Sequence, residues 1–208
     1  GATILGTADN GWILQGNGTS FLDRNALEGL VLKLGSDGNI GWQKSYARSG
    51  SPSAGLNSMS IQSSVSGGYF LEGRTGGRFL CAIKLDQQGN IEWARDYARD
   101  DEYSVATKFL ATSDGGQVVL GGSCSGECLG YSILWLVKID PSGNVVWKRN
   151  YEGVDDTFYI LHETKEGGFI IGGRTDSFGL YSSPDEAGHN GFVMKFDSSG
   201  NIAWQKAF

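Results

Sequence analysis

The sequence predicts an all-β fold, a β-propeller of four four-stranded blades, and three observations predict it. A Gly-Asn turn followed by tryptophan occurs four times at near-even spacing. A Gly-rich turn leading into a short apolar strand precedes each copy. Runs rich in Val, Ile, Phe, Tyr and Trp alternate with turns along the 208 residues, and no amphipathic helical pattern interrupts them.

The tryptophan segments align without gaps: Leu34-Gly-Ser-Asp-Gly-Asn-Ile-Gly-Trp42, Leu85-Asp-Gln-Gln-Gly-Asn-Ile-Glu-Trp93, Ile139-Asp-Pro-Ser-Gly-Asn-Val-Val-Trp147 and Phe196-Asp-Ser-Ser-Gly-Asn-Ile-Ala-Trp204. The intervals between the tryptophans are 51, 54 and 57 residues. The preceding blocks are Asp9-Asn-Gly-Trp-Ile-Leu-Gln-Gly16, Ser66-Gly-Gly-Tyr-Phe-Leu-Glu-Gly73, Asp114-Gly-Gly-Gln-Val-Val-Leu-Gly121 and Glu166-Gly-Gly-Phe-Ile-Ile-Gly-Gly173. A turn with Gly between apolar runs is a hairpin signal.

Each repeat therefore carries strands A to D. Strand A precedes the Gly-Gly turn, as in Val105 to Thr112 or Phe158 to Thr164. Strand B follows it, as in Phe169 to Gly172. Strand C is Val31 to Leu34, Leu80 to Leu85, Leu134 to Ile139 and Phe192 to Phe196, and strand D is Ile40 to Tyr46 and its equivalents. One such sheet cannot bury both faces alone, whereas stacking copies around an axis covers them and leaves short edges. A β-solenoid wants shorter rungs, and a sandwich gives no reason for the repeat. The expected blades are about 1–47, 48–98, 99–151 and 152–208, in one domain. Three arrangements stay open: four blades closed within one chain, a piece of a longer array, or a homodimer pooling its blades into an eight-bladed ring.

Asp-x-x-Gly-Asn-x-x-Trp on the C–D hairpin is distantly similar to the tryptophan-docking motif of quinoprotein-like propellers. The longer pattern resembles repeats of uncharacterised bacterial and archaeal secreted propellers, and Gly172-Gly-Arg-Thr-Asp-Ser-Phe-Gly179 in the fourth repeat matches it best. The resemblance covers the whole chain. It implies a blade architecture and an extracellular or cell-surface location, and it implies no activity, because the shared residues build the blade. No residues resemble a quinone-binding set, so quinone chemistry is not carried over. Repeat one departs from the pattern, with Gly35 where the others have Asp86, Asp140 and Asp197, so its turn is expected to be held differently.

Lys plus Arg number 17 against 23 Asp plus Glu, a net charge of −6. That balance, with no basic cluster, argues against a nucleic-acid partner. No apolar run approaches the ~20 residues of a membrane helix, so membrane insertion is not expected. No signal peptide is visible, although a removed leader would look the same. Charged residues make up only 19%, which excludes a disordered polyelectrolyte, and 33 glycines beside 3 prolines suit many tight turns.

Several residues tempt a functional reading. Trp42, Trp93, Trp147 and Trp204 invite a sugar-binding claim, but their identical repeat positions make them structural plugs between blades. Asn39, Asn90, Asn144 and Asn201 read as turn residues in left-handed geometry. Lys33, Lys84, Lys138 and Lys195 recur on strand C at what reads as an exposed or snorkelling position. Cys81 sits in an apolar run and reads as core. Cys124 and Cys128 are candidates for a short-loop disulfide, with free thiols the alternative. His162 and His189 are isolated, with no partners at metal-ligand spacing. Asp-Gly-Gly precedes a strand and not a helix, so it is no phosphate loop.

Blade topology puts the short, alike A–B and C–D turns on one face and the variable B–C and D–A loops on the other. Variable loops on a rigid scaffold are where binding sits. The expected ligand face carries Arg74 and Arg174 just beyond strand B, with Asp101, Asp156, Asp176, Phe178, Tyr181 and Asp185 in the loops. No catalytic residue, metal ligand or cofactor is assigned, Ca²⁺ being the one cation that loop carboxylates would suit. The reading is a non-catalytic binding or scaffold module for a small molecule, glycan or protein. The alternatives are a glycan hydrolase or lyase using loop carboxylates, which would need a paired acid and base, and a self-assembling structural unit.

Overall fold

The computed structural model describes residues 2–19, 27–46, 56–75, 79–97, 104–123, 133–152, 156–175 and 190–208. They form sixteen strands and, among the described residues, no helix. Blade 1 comprises β1 (Ala2–Gly6), β2 (Trp12–Thr19), β3 (Leu27–Leu34) and β4 (Ile40–Tyr46). Blade 2 comprises β5 (Leu56–Ser63), β6 (Tyr69–Thr75), β7 (Phe79–Leu85) and β8 (Ile91–Tyr97). Blade 3 comprises β9 (Ser104–Ala111), β10 (Gln117–Ser123), β11 (Ile133–Ile139) and β12 (Val145–Glu152). Blade 4 comprises β13 (Asp156–Glu163), β14 (Phe169–Thr175), β15 (Asn190–Phe196) and β16 (Ile202–Ala207). Each blade is a four-stranded antiparallel meander in chain order, so the expected all-β architecture of four four-stranded blades is the observed one. Strands B and C run several residues further than their apolar stretches suggested, because antiparallel pairing continues through Gly173, Arg174 and Thr175 to Asn190.

One turn serves all eight short connections. In each, the first residue's N–H donates to the fifth residue's carbonyl, and the fourth residue's N–H returns to the first residue's carbonyl, as in Asp86 to Asn90 and Thr112 to Gly116. This is a type I turn closed by a left-handed residue. Glycine fills that fourth position in seven turns, and Asn10 fills it in the first with φ of 59°. The left-handed residue of the C–D turns is therefore Gly38, Gly89, Gly143 or Gly200, which corrects the expectation for the four asparagines that follow them.

Those asparagines instead lock the turn. Asp86 accepts from the Gln88 and Asn90 N–H groups and from Asn90 Nδ2, all within 2.8 Å. Asp140 with Asn144 and Asp197 with Asn201 repeat the arrangement. Blade 1 is held differently, as Gly35 foretold: Asp37 takes over, accepting from Asn39 N–H at 3.0 Å and Nδ2 at 2.7 Å.

A β-bulge also recurs. In every C–D pair the register slips after the strand-C lysine, so Lys33, Lys84, Lys138 and Lys195 lie opposite Trp42, Trp93, Trp147 and Trp204. The extra residue is Gly41, Glu92, Val146 or Ala203, and the bulge re-aims the tryptophan that follows.

The chain divides into two compact units, residues 1–100 and 101–208, each holding two blades. The first has a core of Ile13, Val31, Ile61, Leu71, Ile83 and Leu85 with Tyr46, Tyr69 and Cys81, against which Leu5 and Trp42 pack. In the second, Val118, Leu120, Leu134 and Leu136 of blade 3 meet Phe158, Phe169, Ile171, Phe192, Met194 and Phe196 of blade 4. Each core draws on two sheets, because a single blade is too thin to enclose one. Cys81 is buried here, as its apolar run indicated.

Candidate functional site

Within each unit, one blade's tryptophan strand clasps the next blade's C–D turn. In the first unit Trp42 Nε1 donates to the Gln87 carbonyl at 3.0 Å, and the Tyr46 hydroxyl donates to the Gly89 carbonyl at 2.7 Å. Lys44 Nζ reaches Asn90 Oδ1 at 2.7 Å. In the second unit Trp147 donates to the Ser198 carbonyl at 3.1 Å, and Tyr151 donates to the Gly200 carbonyl. Burial pushes both phenols up to about 12; the Asp86 charge adds to this at Tyr46, while at Tyr151 the Arg149 charge opposes it and the Asp197 charge adds. Glycine is required in the turn for a second reason: a Cβ at Gly89 would lie 2.8 Å from the Trp42 ring, and one at Gly200 2.9 Å from the Trp147 ring. Trp42 and Trp147 are thus plugs between blades, as their repeat position suggested. Trp93 is half-buried against Phe70, and Trp204 is 41% exposed.

Of the exposed or snorkelling position that the sequence suggested for the strand-C lysines, the exposed one does not hold for three of the four. Lys33, Lys84 and Lys138 are buried, and each folds back to tie the A–B turn to strand C. Lys138 donates to Thr112 Oγ1 and Asp114 Oδ1 at 2.9 Å and to the Ile139 carbonyl. Lys33 bonds Asp9 at 2.8 Å, and Lys84 bonds the Gly67 carbonyl and pairs with Glu92. Lys195 is looser, 3.7 Å from Glu166. These cations hold their partners ionised. The Lys33 hydrogen bond holds the Asp9 carboxyl well below the usual carboxylate range. Burial raises Asp114, but hydrogen bonds from Lys138, Thr112 and Gly116 outweigh it and hold the acid at about 2.

Between the A–B turns of blades 1 and 2 lies a groove of about 630 Å³. Trp42 and Tyr69 form its aromatic wall, with centroids 6.4 Å apart at 61°. Asp9, Lys33, Ser64 and Gln87 supply polar groups. This groove is on the short-turn face, where the sequence pointed to no site. Its signal lay in repeat one's departure at Gly41, where the other bulges carry the side chains of Glu92, Val146 and Ala203.

On the opposite face, Arg74 and Arg174 are equivalent, but they lie inside strands β6 and β14 and not beyond them: Arg74 pairs with Asn57 and Leu80, Arg174 with Thr157 and Gly191. Arg174 is exposed. Asp156 opens β13, opposite Thr175. Thr175 and Asn190 are fully buried and paired with each other. Asp101, Asp176, Phe178, Tyr181, Asp185, Cys124, Cys128 and His189 lie outside the described residues. His162 is exposed on β13. Among the described residues, no three His, Cys, Asp or Glu side chains gather as metal ligands.

No family model matches the chain, and no curated protein matches it. Among solved structures it is similar to the crystal structure of a protein of unknown function from Bacteroides caccae, with a TM-score of 0.50 and 14% identity over 100% of this chain and 68% of that one. At that identity the likeness concerns the fold.

Proposed function

We propose that the chain is a non-catalytic binding or scaffold module, with its variable B–C and D–A loops as the principal ligand face. One observation carries this reading: the side chains that recur from blade to blade are largely spent on architecture. Asp86, Asp140 and Asp197 hold turns, Lys33, Lys84 and Lys138 staple strands, and Trp42 and Trp147 hold joints. A general acid needs a carboxyl held protonated near neutral pH. Asp9, Asp37, Asp86, Asp114, Glu166 and Asp197 are all shifted the other way by their hydrogen bonds. The buried Thr175–Asn190 pair supports presentation of the longest loop as a binding element.

The test is a thermal-shift screen of the full chain with soluble glycans and divalent metal salts, paired with a turnover assay on the same glycans. A ligand that binds the folded state raises the melting temperature by mass action. The reading predicts stabilisation without product. Turnover of any glycan would overturn it in favour of a hydrolase or lyase.

A further inference from the structure

The second unit carries an internal control for the groove of the first. There Ser113, in the A–B turn of blade 3, donates from its N–H and its hydroxyl to the Glu163 carboxylate of blade 4, at 2.8 and 2.9 Å. This clasp ties the two blades together across the turn face. The repeat places Ala8 and Ser63 at those positions in the first unit. Ala8 has no hydroxyl to give, and Ser63 lacks the reach of a glutamate. One further exchange removes bulk: Gly41 stands where the bulge carries Val146. Ala8, Ser63 and Gly41 all line the cavity.

The chemistry of the lining selects among ligands. Asp9 is ionised and its side chain is 63% exposed, but its charge is matched by Lys33 at 2.8 Å. The pair offers hydrogen-bonding oxygen without net charge, which disfavours a free cation or anion. Gln87 and Gln88 are exposed at the rim, and Ser63 adds a hydroxyl there. Beside them stand the partly exposed Trp42 ring and the Tyr69 ring. An aromatic wall flanked by uncharged donors and acceptors suits a ring with one apolar C–H face and hydroxyls around its edge. The volume falls in the range of small-molecule sites, about 300–1,000 Å³.

We infer that the groove between blades 1 and 2 binds an uncharged saccharide of one or two rings, stacked on Trp42 and hydrogen-bonded to Asp9 and the Gln87–Gln88 edge. The site is separate from the loop face and goes beyond the reading of that face.

The test is titration of the full chain with neutral mono- and disaccharides of glucose, galactose, mannose and N-acetylglucosamine, followed by NMR of the tryptophan indole N–H signals. Glucuronate and choline serve as charged probes. At least one neutral sugar is expected to shift the Trp42 indole signal, and the charged probes are expected to leave it unmoved. Ala8→Ser with Ser63→Glu, which installs the second unit's clasp, should weaken that sugar at least tenfold. Gly41→Val should do the same independently, in case the double variant misfolds. Replacing segment 176–189 by a short Gly-Asn link should leave the affinity unchanged. No indole shift with any neutral sugar, or an affinity unaltered in both groove-filling variants, would overturn the inference. A sugar that binds with equal strength to those variants and is lost in the loop replacement would overturn it while supporting the loop-face reading.

Discussion

The Tyr46 hydroxyl and the Gly89 carbonyl meet at 2.7 Å across the joint between blades 1 and 2, and Tyr151 with Gly200 repeats the contact between blades 3 and 4. The glycine is both the left-handed corner of its turn and the floor on which the neighbouring tryptophan lies.

Two alanine substitutions separate those roles. Gly38 and Gly89 have nearly the same φ, 79° and 73°, but a Cβ at Gly38 meets nothing within 4 Å, whereas one at Gly89 strikes the Trp42 ring. Gly38→Ala should cost about 1–2 kcal/mol, the left-handed penalty of an L-residue. Gly89→Ala should cost that plus about 1–3 kcal/mol of overpacking. Urea denaturation of the two variants measures the difference.

The strand-C lysines make a second contrast. Lys138→Met strips a buried ammonium from Thr112, Asp114 and the Ile139 carbonyl, and it should cost about 1–3 kcal/mol. Lys195→Met removes a half-buried lysine 3.7 Å from its carboxylate and should change stability by less than about 1 kcal/mol. Melting temperatures of the pair decide the point.

Acid should unfold the chain partly through Asp114. Its folded value of about 2 lies below the ordinary 3.8, so the contribution is present above pH 3.8 and is lost as pH falls toward 2. Asp114→Asn should flatten that limb of the stability–pH curve, as followed by circular dichroism.

Alkali should act on the joints. Burial raises Tyr46 and Tyr151 from 10.0 to about 12, so their contribution is complete below pH 10 and is lost as pH climbs through 12. In a spectrophotometric titration of phenolate absorbance, Tyr46→Phe and Tyr151→Phe should each remove one late-titrating group.

The strands and turns were legible in the sequence because their causes are local: Gly-rich turns with runs of strand-forming residues between them. The left-handed corner was placed one residue too late, on the asparagines and not on the glycines before them. The lysine staples were not legible, because a lysine in an apolar strand normally lifts its ammonium to solvent. Only the folded turn brings the carbonyls of Ile139 and Gly67 and the carboxylate of Asp114 within reach. The groove was hidden for the opposite reason. It is bordered by small residues, Ala8, Ser63 and Gly41, and a small side chain acquires meaning only once the facing blade is in place. Arg74 and Arg174 were matched as equivalents, yet placed one step too far along, because the Gly-Gly pair before Arg174 suggested an end to pairing that continues to Thr175.

The most direct measurement compares Trp147→Ala with Trp204→Ala by urea denaturation. The two residues occupy the same position of neighbouring repeats, but Trp147 is docked on the Ser198 carbonyl and Gly200, whereas Trp204 is 41% exposed. If stability resides in the joints, Trp147→Ala costs about 3–5 kcal/mol, as for a buried aromatic, and Trp204→Ala costs well under half of that. Equal losses would contradict the account, because the tryptophan would then matter to its own blade and not to the blade beside it.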